Sequence, residues 1–312
     1  MRLIIDGDAL VYRAGFASER HSYQGVVETP TGDTDTFHQP AGPMMTAFTA
    51  QQEALGNKII FKEKLVDPEP VGYALQAVNL VIHKIVDEIR KAGHDDIQTV
   101  ILLTGPDNFR ERLATIRPYK GNRDPSHKPV HYQALRDYLT GRLGARVIHG
   151  READDEVSIL ARQARREGAV YCVATIDKDL DQIPGLHYDY RQHVFYTVSE
   201  EDAERALWIQ ALAGDSGDNV PGCYGVGLGR ATKAIDQMLA VPGVLPLDIW
   251  EYIVAIYAES QTKEGCPYKD KDPEDVALET ARLVYLQRFP GEVWYPTGPR
   301  VDEENAGVQF DD

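Results

Sequence analysis

Gly150-Arg-Glu-Ala-Asp-Asp-Glu156, followed by Thr175-Ile-Asp-Lys-Asp-Leu-Asp181, is the pair of stretches on which the fold of this chain turns. Together they bring Glu152, Asp154, Asp155, Asp177, Asp179 and Asp181 into one short span of sequence. An apolar, strand-like run precedes each: Ala145-Arg-Val-Ile148 before the first and Ala169-Val-Tyr-Cys-Val-Ala174 before the second. Two such strands deliver carboxylates to one edge of a sheet. Like charges held close raise one another's pKa, and clustered carboxylate oxygens suit hard cations such as Mg²⁺ or Mn²⁺. Taken singly, either stretch reads equally well as a solvated acidic loop leading into a helix, whose N-terminus favours Asp and Glu.

Working outward, Arg2-Leu-Ile-Ile-Asp6 reads as a buried strand that also ends in a carboxylate, and Asp8 as the N-cap of a helix from Ala9. Residues 18–70 read as an insertion with hairpin character, a helix over Met44–Leu55 and a strand at Lys58–Phe61. Val71–Ala92 carries apolar residues at the spacing of a long amphipathic helix, and Gln98–Leu103 is the next buried strand. A helix over Val130–Leu143 leads to the strand at Ala145, and Asp154–Glu167 is the helix after the first acidic stretch. His187–Tyr190 and His193–Tyr196 read as a hairpin. Strands alternating with helices imply an α/β fold with a mainly parallel sheet covered on both faces. In such sheets sites form beyond the carboxyl ends of the strands, which is where Asp6, Glu152 and Asp177 fall.

Asn108–Lys128 is unusually basic, with Arg110, Arg112, Arg117, Lys120, Arg123 and Lys128 in a chain of formal net charge −16. That balance excludes a protein that simply coats nucleic acid, but not an enzyme with a local basic patch. From Ser199 helices and tight turns take over. Five glycines between Gly217 and Gly229 precede a helix and allow backbone N–H groups to approach a phosphate. No strand precedes Gly225-Val-Gly-Leu-Gly229, so a dinucleotide fingerprint is not the reading. Three scattered cysteines fit a reducing compartment better than a disulfide framework. Asp6 and Asp8 interrupt any signal-peptide core, and no stretch approaches the roughly 20 apolar residues of a membrane helix. A cytoplasmic protein is expected, with an acidic tail from Asp302.

Five motifs in order resemble the flap endonuclease / 5′-3′ exonuclease family, most of all its bacteriophage members. They are Ile-Ile-Asp-Gly-Asp8; Asn-Phe-Arg110 with Tyr-Lys-Gly-Asn-Arg123; Glu-Ala-Asp-Asp155; Asp-Lys-Asp179; and Gly-Asp-Ser-Gly-Asp-Asn-Val-Pro-Gly222 leading into Gly229. The resemblance covers most of the chain apart from 18–70 and the tail. It implies a PIN-like catalytic domain over 1–197, with a helical arch near 107–130. A helical DNA-binding region over 198–300 would carry a helix–three-turn–helix near 214–236. Asp6, Glu152, Asp154 and Asp155 match a first metal site, and Asp177, Asp179, Asp215 and Asp218 a second group. Tyr119, Lys120 and Arg123 match the arch, with Arg110 at its base, and Gly222, Gly225, Gly227, Gly229, Arg230 and Lys233 the grip on duplex DNA. Lys120 and Arg110 are then expected to stabilise charge developing on the phosphate oxygens. The family implies two Mg²⁺ ions, replaceable by Mn²⁺, and a K⁺ at the glycine-rich turn.

The implied activity is hydrolysis near a 5′ end, nick or flap of duplex DNA, by a phage-type monomer in the host cytoplasm, with RNA in RNA–DNA hybrids as a further substrate. One departure stands out. The family places an Asp at the end of the strand that here finishes Leu102-Leu103-Thr104, so water or Asp8 is left to complete the first site. Asp8 is otherwise expected to cap its helix, Glu156 to be exposed, and Asp181 to be a solvated turn residue. Two other classes compete: a non-catalytic nucleic-acid-binding module on the same fold, and another Mg²⁺ enzyme such as a phosphatase. The second leaves the Tyr-Lys-Gly-Asn-Arg segment and the glycine-rich loop unexplained.

Overall fold

The computed structural model describes residues 1–124, 127–298 and 300–301, so the tail expected from Asp302 lies outside them. The chain opens with β1 (Arg2–Asp6), α1 (Gly7–Ala17), β2 (Glu19–Glu28), β3 (Thr34–Pro40), α2 (Pro43–Ala54), β4 (Lys58–Pro68) and α3 (Val71–Lys91). The middle contains β5 (Gln98–Thr104), α4 (Arg110–Leu113), α5 (Tyr132–Leu143), β6 (Arg146–Ile148), α6 (Ala153–Arg166), β7 (Tyr171–Thr175), β8 (Gly185–Asp189) and β9 (Val194–Val198). It ends with α7 (Glu200–Ala213), β10 (Gly214–Asp215), β11 (Val220–Pro221), α8 (Leu228–Leu239), α9 (Pro246–Gln261), α10 (Pro273–Val284), β12 (Glu292–Val293) and β13 (Arg300–Val301).

Two compact units result. The first comprises Met1–Ala9, His83–His127 and the chain from Leu139 onward; the second comprises Leu10–Ile82 and Lys128–Tyr138. In the first, six strands form one sheet in the order β6-β5-β1-β7-β8-β9. All neighbours are parallel except the final β8–β9 hairpin. This is the mainly parallel α/β sheet expected from the alternation of strands and helices. β1 lies at its centre because Leu3, Ile4 and Ile5 are apolar on both faces and fully buried. α6 seals one face through Ala153, Val157, Ala161 and Ala164, a stripe of helical period with no exposure. Val157 and Ala161 pack with Ile4, Leu102, Ile148 and Val173. The helices from α7 to α10 share a second core, built on Trp208, Trp250, Ile253 and Tyr257, into which the buried Cys223 packs.

The second unit carries the insertion. What reads as a hairpin is a three-stranded antiparallel sheet, β3-β2-β4. α2 covers it through Met45 and Phe48 against Val27, Phe37 and Ile59. The strand at Lys58 runs on to Pro68, where β4 pairs along the whole length of β2. In its described residues the basic segment forms the single-turn α4 and then turns, with Pro118 and Gly121 interrupting it. Among the described residues, no helix is long and apolar enough to cross a membrane.

Candidate active site

Carboxylates collect at the carboxyl ends of three parallel strands and of α7. Asp6 ends β1, in register with Leu102 of β5. It is buried, accepts a hydrogen bond from the Ala9 N–H at 3.1 Å, and receives the Thr175 hydroxyl at 3.0 Å. Asp6 rather than Asp8 therefore caps α1. The helix starts earlier than expected, at Gly7, whose missing Cβ lets it lie against the Leu102 carbonyl. Asp8 accepts the Thr104 N–H at 2.9 Å, so its carboxylate stands at the strand end that lacks the family's acid. Asp107 is not a substitute: its carboxylate is exposed and lies 3.5 Å from His149.

Glu152 and Asp155 close the N-terminus of α6 as a reciprocal capping box, and Asp154 sits between them. Asp177 follows β7, caps a short 3₁₀ turn over Lys178–Gln182, and accepts the Asp179 N–H at 3.0 Å. Asp215 and Asp218 lie on the turn after α7, where Asp215 accepts the Gly217 N–H at 2.7 Å. Glu152, Asp154, Asp179, Asp215 and Asp218 line one narrow cavity of about 30 Å³, room for roughly a single water or ion.

The electrostatics come from burial and crowding. Burial, then Asp8 and Asp177, push Asp6 up to about 7. Burial raises Asp154 well above the usual carboxylate range, helped by Asp6, Asp177 and Glu152. Burial, with Asp177, Asp215 and Asp218, takes Asp179 to about 7. Asp218 goes the other way. Burial alone would raise it, but Lys120, the Tyr119 hydroxyl and Arg123 outweigh burial and lower it.

The Tyr119–Arg123 segment lies over these acids. Lys120 bonds Glu152 and lies 3.5 Å from Asp218; Arg123 bonds Asp218. The Tyr119 hydroxyl sits 2.8 Å from Glu152 and 2.6 Å from Asp218, so its one proton is shared between two acceptors. Lys120 takes a left-handed backbone, φ 55°, and donates its N–H to the Asp218 carbonyl at 2.8 Å. Among the described residues, no three His, Cys, Asp or Glu side chains are gathered as ligands of one ion.

Two expected site residues are committed elsewhere. Arg110 is 2% exposed and bonds Asp155 through both terminal nitrogens, at 2.6 and 2.8 Å. It also donates to the carbonyls of Leu283 at 2.8 Å and Tyr285 at 2.7 Å. Held by these four bonds, with Glu152 at 3.6 Å, the guanidinium is a structural cation rather than a phosphate contact. Asp155, fully buried, also accepts the N–H groups of Glu152 and Gln287, which fills its lone pairs and leaves none for a metal. Glu156, expected to be exposed, is buried between Arg151 and Arg146. Asp181 accepts the Tyr196 hydroxyl at 2.8 Å rather than standing in solvent. Gln182 and Gln210, which the sequence did not flag, bond one another and reach Asp179. The one signal for Gln210 is a long polar side chain on the apolar face of a helix, between Ile209 and Ala211.

At the glycine-rich stretch, Gly222 is required: a Cβ there would meet the Ala213 carbonyl at 2.1 Å. Gly225 takes φ 75°. Gly227 and Gly229 face open space at the start of α8, with Arg230 and Lys233 exposed beside them.

No protein-family model matches the chain. It is 30% identical over 188 residues to DNA polymerase I of Bacillus caldotenax, which covers 55% of this chain and 21% of the polymerase. It is 30% identical over 155 residues to flap endonuclease Xni of Shewanella baltica (strain OS185), 46% of this chain and 59% of that protein. The chain thus spans about a fifth of the polymerases it matches. The crystal structure of T5 D15 protein, co-crystallised with metal ions, superposes with a TM-score of 0.52 at 17% identity, over 91% of this chain and 89% of that one. The chain is thus similar in sequence, over about half its length, to DNA polymerase I and flap endonuclease Xni, and it shares the fold of T5 D15 protein.

Proposed function

We propose, from its kinship with flap endonuclease Xni and the T5 D15 fold, that the chain is a divalent-metal-dependent 5′-3′ exonuclease and structure-specific flap endonuclease acting on duplex DNA. The observation that carries this is the cavity lined by Glu152, Asp154, Asp179, Asp215 and Asp218 together with Tyr119, with Asp6 and Asp177 near enough to Asp154 to raise it. The donor set fits a hard cation. Its atoms are carboxylate oxygens, and Asp6 and Asp179 stay near 7 through burial and mutual repulsion, which a bound cation relieves. Two Mg²⁺ ions, or Mn²⁺, would be held by Asp6, Glu152 and Asp154 on one side and by Asp177, Asp179, Asp215 and Asp218 on the other. When bound they supply an activated water and stabilise the leaving oxygen.

The chain's own residues do the rest. Lys120, still 27% exposed, can turn from Glu152 to a phosphate oxygen, where a donor aimed at developing charge speeds reaction. Tyr119 offers a face for an unpaired base and Arg123 a phosphate contact. The open N-terminus of α8 at Gly227 and Gly229, flanked by Arg230 and Lys233, suits the backbone of duplex DNA, with K⁺ at the Gly222–Gly225 turn. In this division residues 1–197 carry most of the chemistry, and 198–300 supply the grip together with the acids Asp215 and Asp218. The enzyme works as a monomer in the cytoplasm, with RNA in RNA–DNA hybrids as a further substrate. The rival, a binding module without catalysis, is disfavoured because a concentration of carboxylates opposes a polyanion.

The test is cleavage of 5′-labelled blunt, nicked and flap duplexes in Mg²⁺. Release of mononucleotides or of an intact flap, each ending in a 3′-hydroxyl, supports the proposal. Tight binding of all three substrates without cleavage favours the binding module.

A further inference from the structure

We propose that Leu283–Gln287, the last turn of α10 and the extended chain that leaves it, is a scaffold that fixes both carboxylate groups through two relays, Arg110–Asp155 and Gln182–Gln210. The proposal rests on the reading of the acids as a metal centre. In five consecutive residues, a backbone polar group of each one bonds a relay side chain. The Leu283 and Tyr285 carbonyls accept from Arg110 at 2.8 and 2.7 Å. The Val284 carbonyl accepts from Gln182 at 2.8 Å, and the Leu286 N–H points back at the Gln182 oxygen at 3.4 Å. The Gln287 N–H donates to Asp155 at 3.0 Å.

Each relay ends on an acid of the site. Asp155 accepts the Glu152 N–H at 3.1 Å and so sets the residue that leads α6. The second relay has a direction built into it. A carbonyl can only accept and an N–H can only donate, so Val284 and Leu286 fix which way the Gln182 amide faces. Its second N–H then goes to the Gln210 oxygen, which leaves the Gln210 amide N–H groups to face Asp179, at 2.5 Å. Reversing either amide would set donor against donor. Amides locked in this way orient the groups they hold, as outer partners do for metal ligands.

The segment is itself held from both sides. Leu286 packs with Ile4, Leu102, Leu180 and Ile183 under the sheet. Leu283, Val284 and Tyr285 belong to the helical core with Trp208 and Trp250. A shift of the helices that carry the glycine-rich turn therefore reaches both groups of acids through one strip of backbone.

Gln210 is a positioning residue, and the test compares wild type with Gln210→Met and Gln210→Asn in the full chain. Mn²⁺ alone is titrated and the free ion followed by electron paramagnetic resonance. Duplex affinity, single-turnover cleavage and urea stability are measured beside it. Both variants are expected to weaken Mn²⁺ binding by about 10-fold or more and to slow cleavage, while duplex Kd stays within about twofold. Gln210→Asn keeps a polar amide, one methylene short of Asp179, and so covers the case where Gln210→Met does not fold. Gln210→His, whose ring N–H can still reach the acid, is expected to recover most of the Mn²⁺ affinity. Equal Mn²⁺ affinity in wild type and Gln210→Asn overturns the relay and leaves the metal reading standing. A wild type that binds no Mn²⁺ overturns the metal reading itself.

Discussion

Replacing Arg110 by Met tests how far the site depends on a buried pair that touches no substrate. The guanidinium makes four hydrogen bonds, two of them to Asp155. Burial alone would lower its pKa, but Asp155 outweighs burial and raises it. Removing one member of a buried pair costs about 3–5 kcal/mol, because the other charge is left in a low-dielectric interior. Asp155 would keep two backbone donors, from Glu152 and Gln287, which places the expected loss nearer the middle of that range, at about 4 kcal/mol. Against a typical stability of about 5–15 kcal/mol this is large but survivable. Urea unfolding at pH 7.5, followed by tryptophan fluorescence, measures it. The double variant Arg110→Met/Asp155→Leu removes the orphaned charge. It is expected to be more stable than Arg110→Met by about 1–3 kcal/mol, though below wild type for loss of the α6 cap. A single-variant cost under about 1 kcal/mol, or single costs that simply add, would refute the reasoning.

The remaining expectations concern pH, chemistry and backbone. Folded Asp6 and Asp179 hold protons up to about 7, whereas an unfolded Asp releases its proton near 3.9. Between those values the folded state binds more protons, so metal-free stability falls as pH rises from about 4 to 7, by up to about 4 kcal/mol for either group. His187, which burial holds below its usual range, works in the opposite sense near pH 6.5. The acids are therefore isolated by difference: Asp6→Asn should flatten the curve in EDTA, and a wild-type curve parallel to that of the variant contradicts the assignment. Lys120→Ala should slow single-turnover cleavage by about 10²–10³-fold with little change in duplex affinity; equal loss of both would reduce Lys120 to a binding contact. Gly222→Ala should lower Tm sharply because its Cβ meets the Ala213 carbonyl, whereas Gly227→Ala meets nothing within 4 Å and should leave Tm within a degree or two.

Periodicity and strand-end acids made most of the sheet legible from sequence alone. β1, β5, β6 and β7 are short apolar runs, and the turn or helix after each is set by local chemistry. The division of labour between Asp154 and Asp155 was not legible. Neighbours on a helix point about 100° apart, and nothing local says which one faces inward. Glu152 and Asp155 have the three-residue spacing of a capping box, but Glu before Asp is not the Ser or Thr before Glu or Gln that makes such a box legible in sequence. Arg110 was misread because its partners come from far along the chain: Asp155 is 45 positions away and the Leu283 carbonyl 173. Glu156 misled for a similar reason. An acid in the first turn of a helix is usually solvated, but Arg151, five residues earlier, folds back onto it. Gln182 has no pattern signal and Gln210 only that of a polar side chain among apolar helix neighbours, because their importance lies in which way an amide faces.

The central claim is that carboxylates at the strand ends hold the metal that cleaves the phosphodiester. Asp154 is the residue on which to test it, since Asp155 is committed to Arg110. Single-turnover cleavage of a 5′-labelled flap duplex should be measured across a Mg²⁺ titration for wild type and Asp154→Asn, with EDTA as control. The account predicts rapid wild-type cleavage that EDTA abolishes, and a variant that is slow even in excess Mg²⁺ while binding the duplex at least as well. Cleavage in EDTA, or an Asp154→Asn enzyme as fast as wild type at low Mg²⁺, would contradict it.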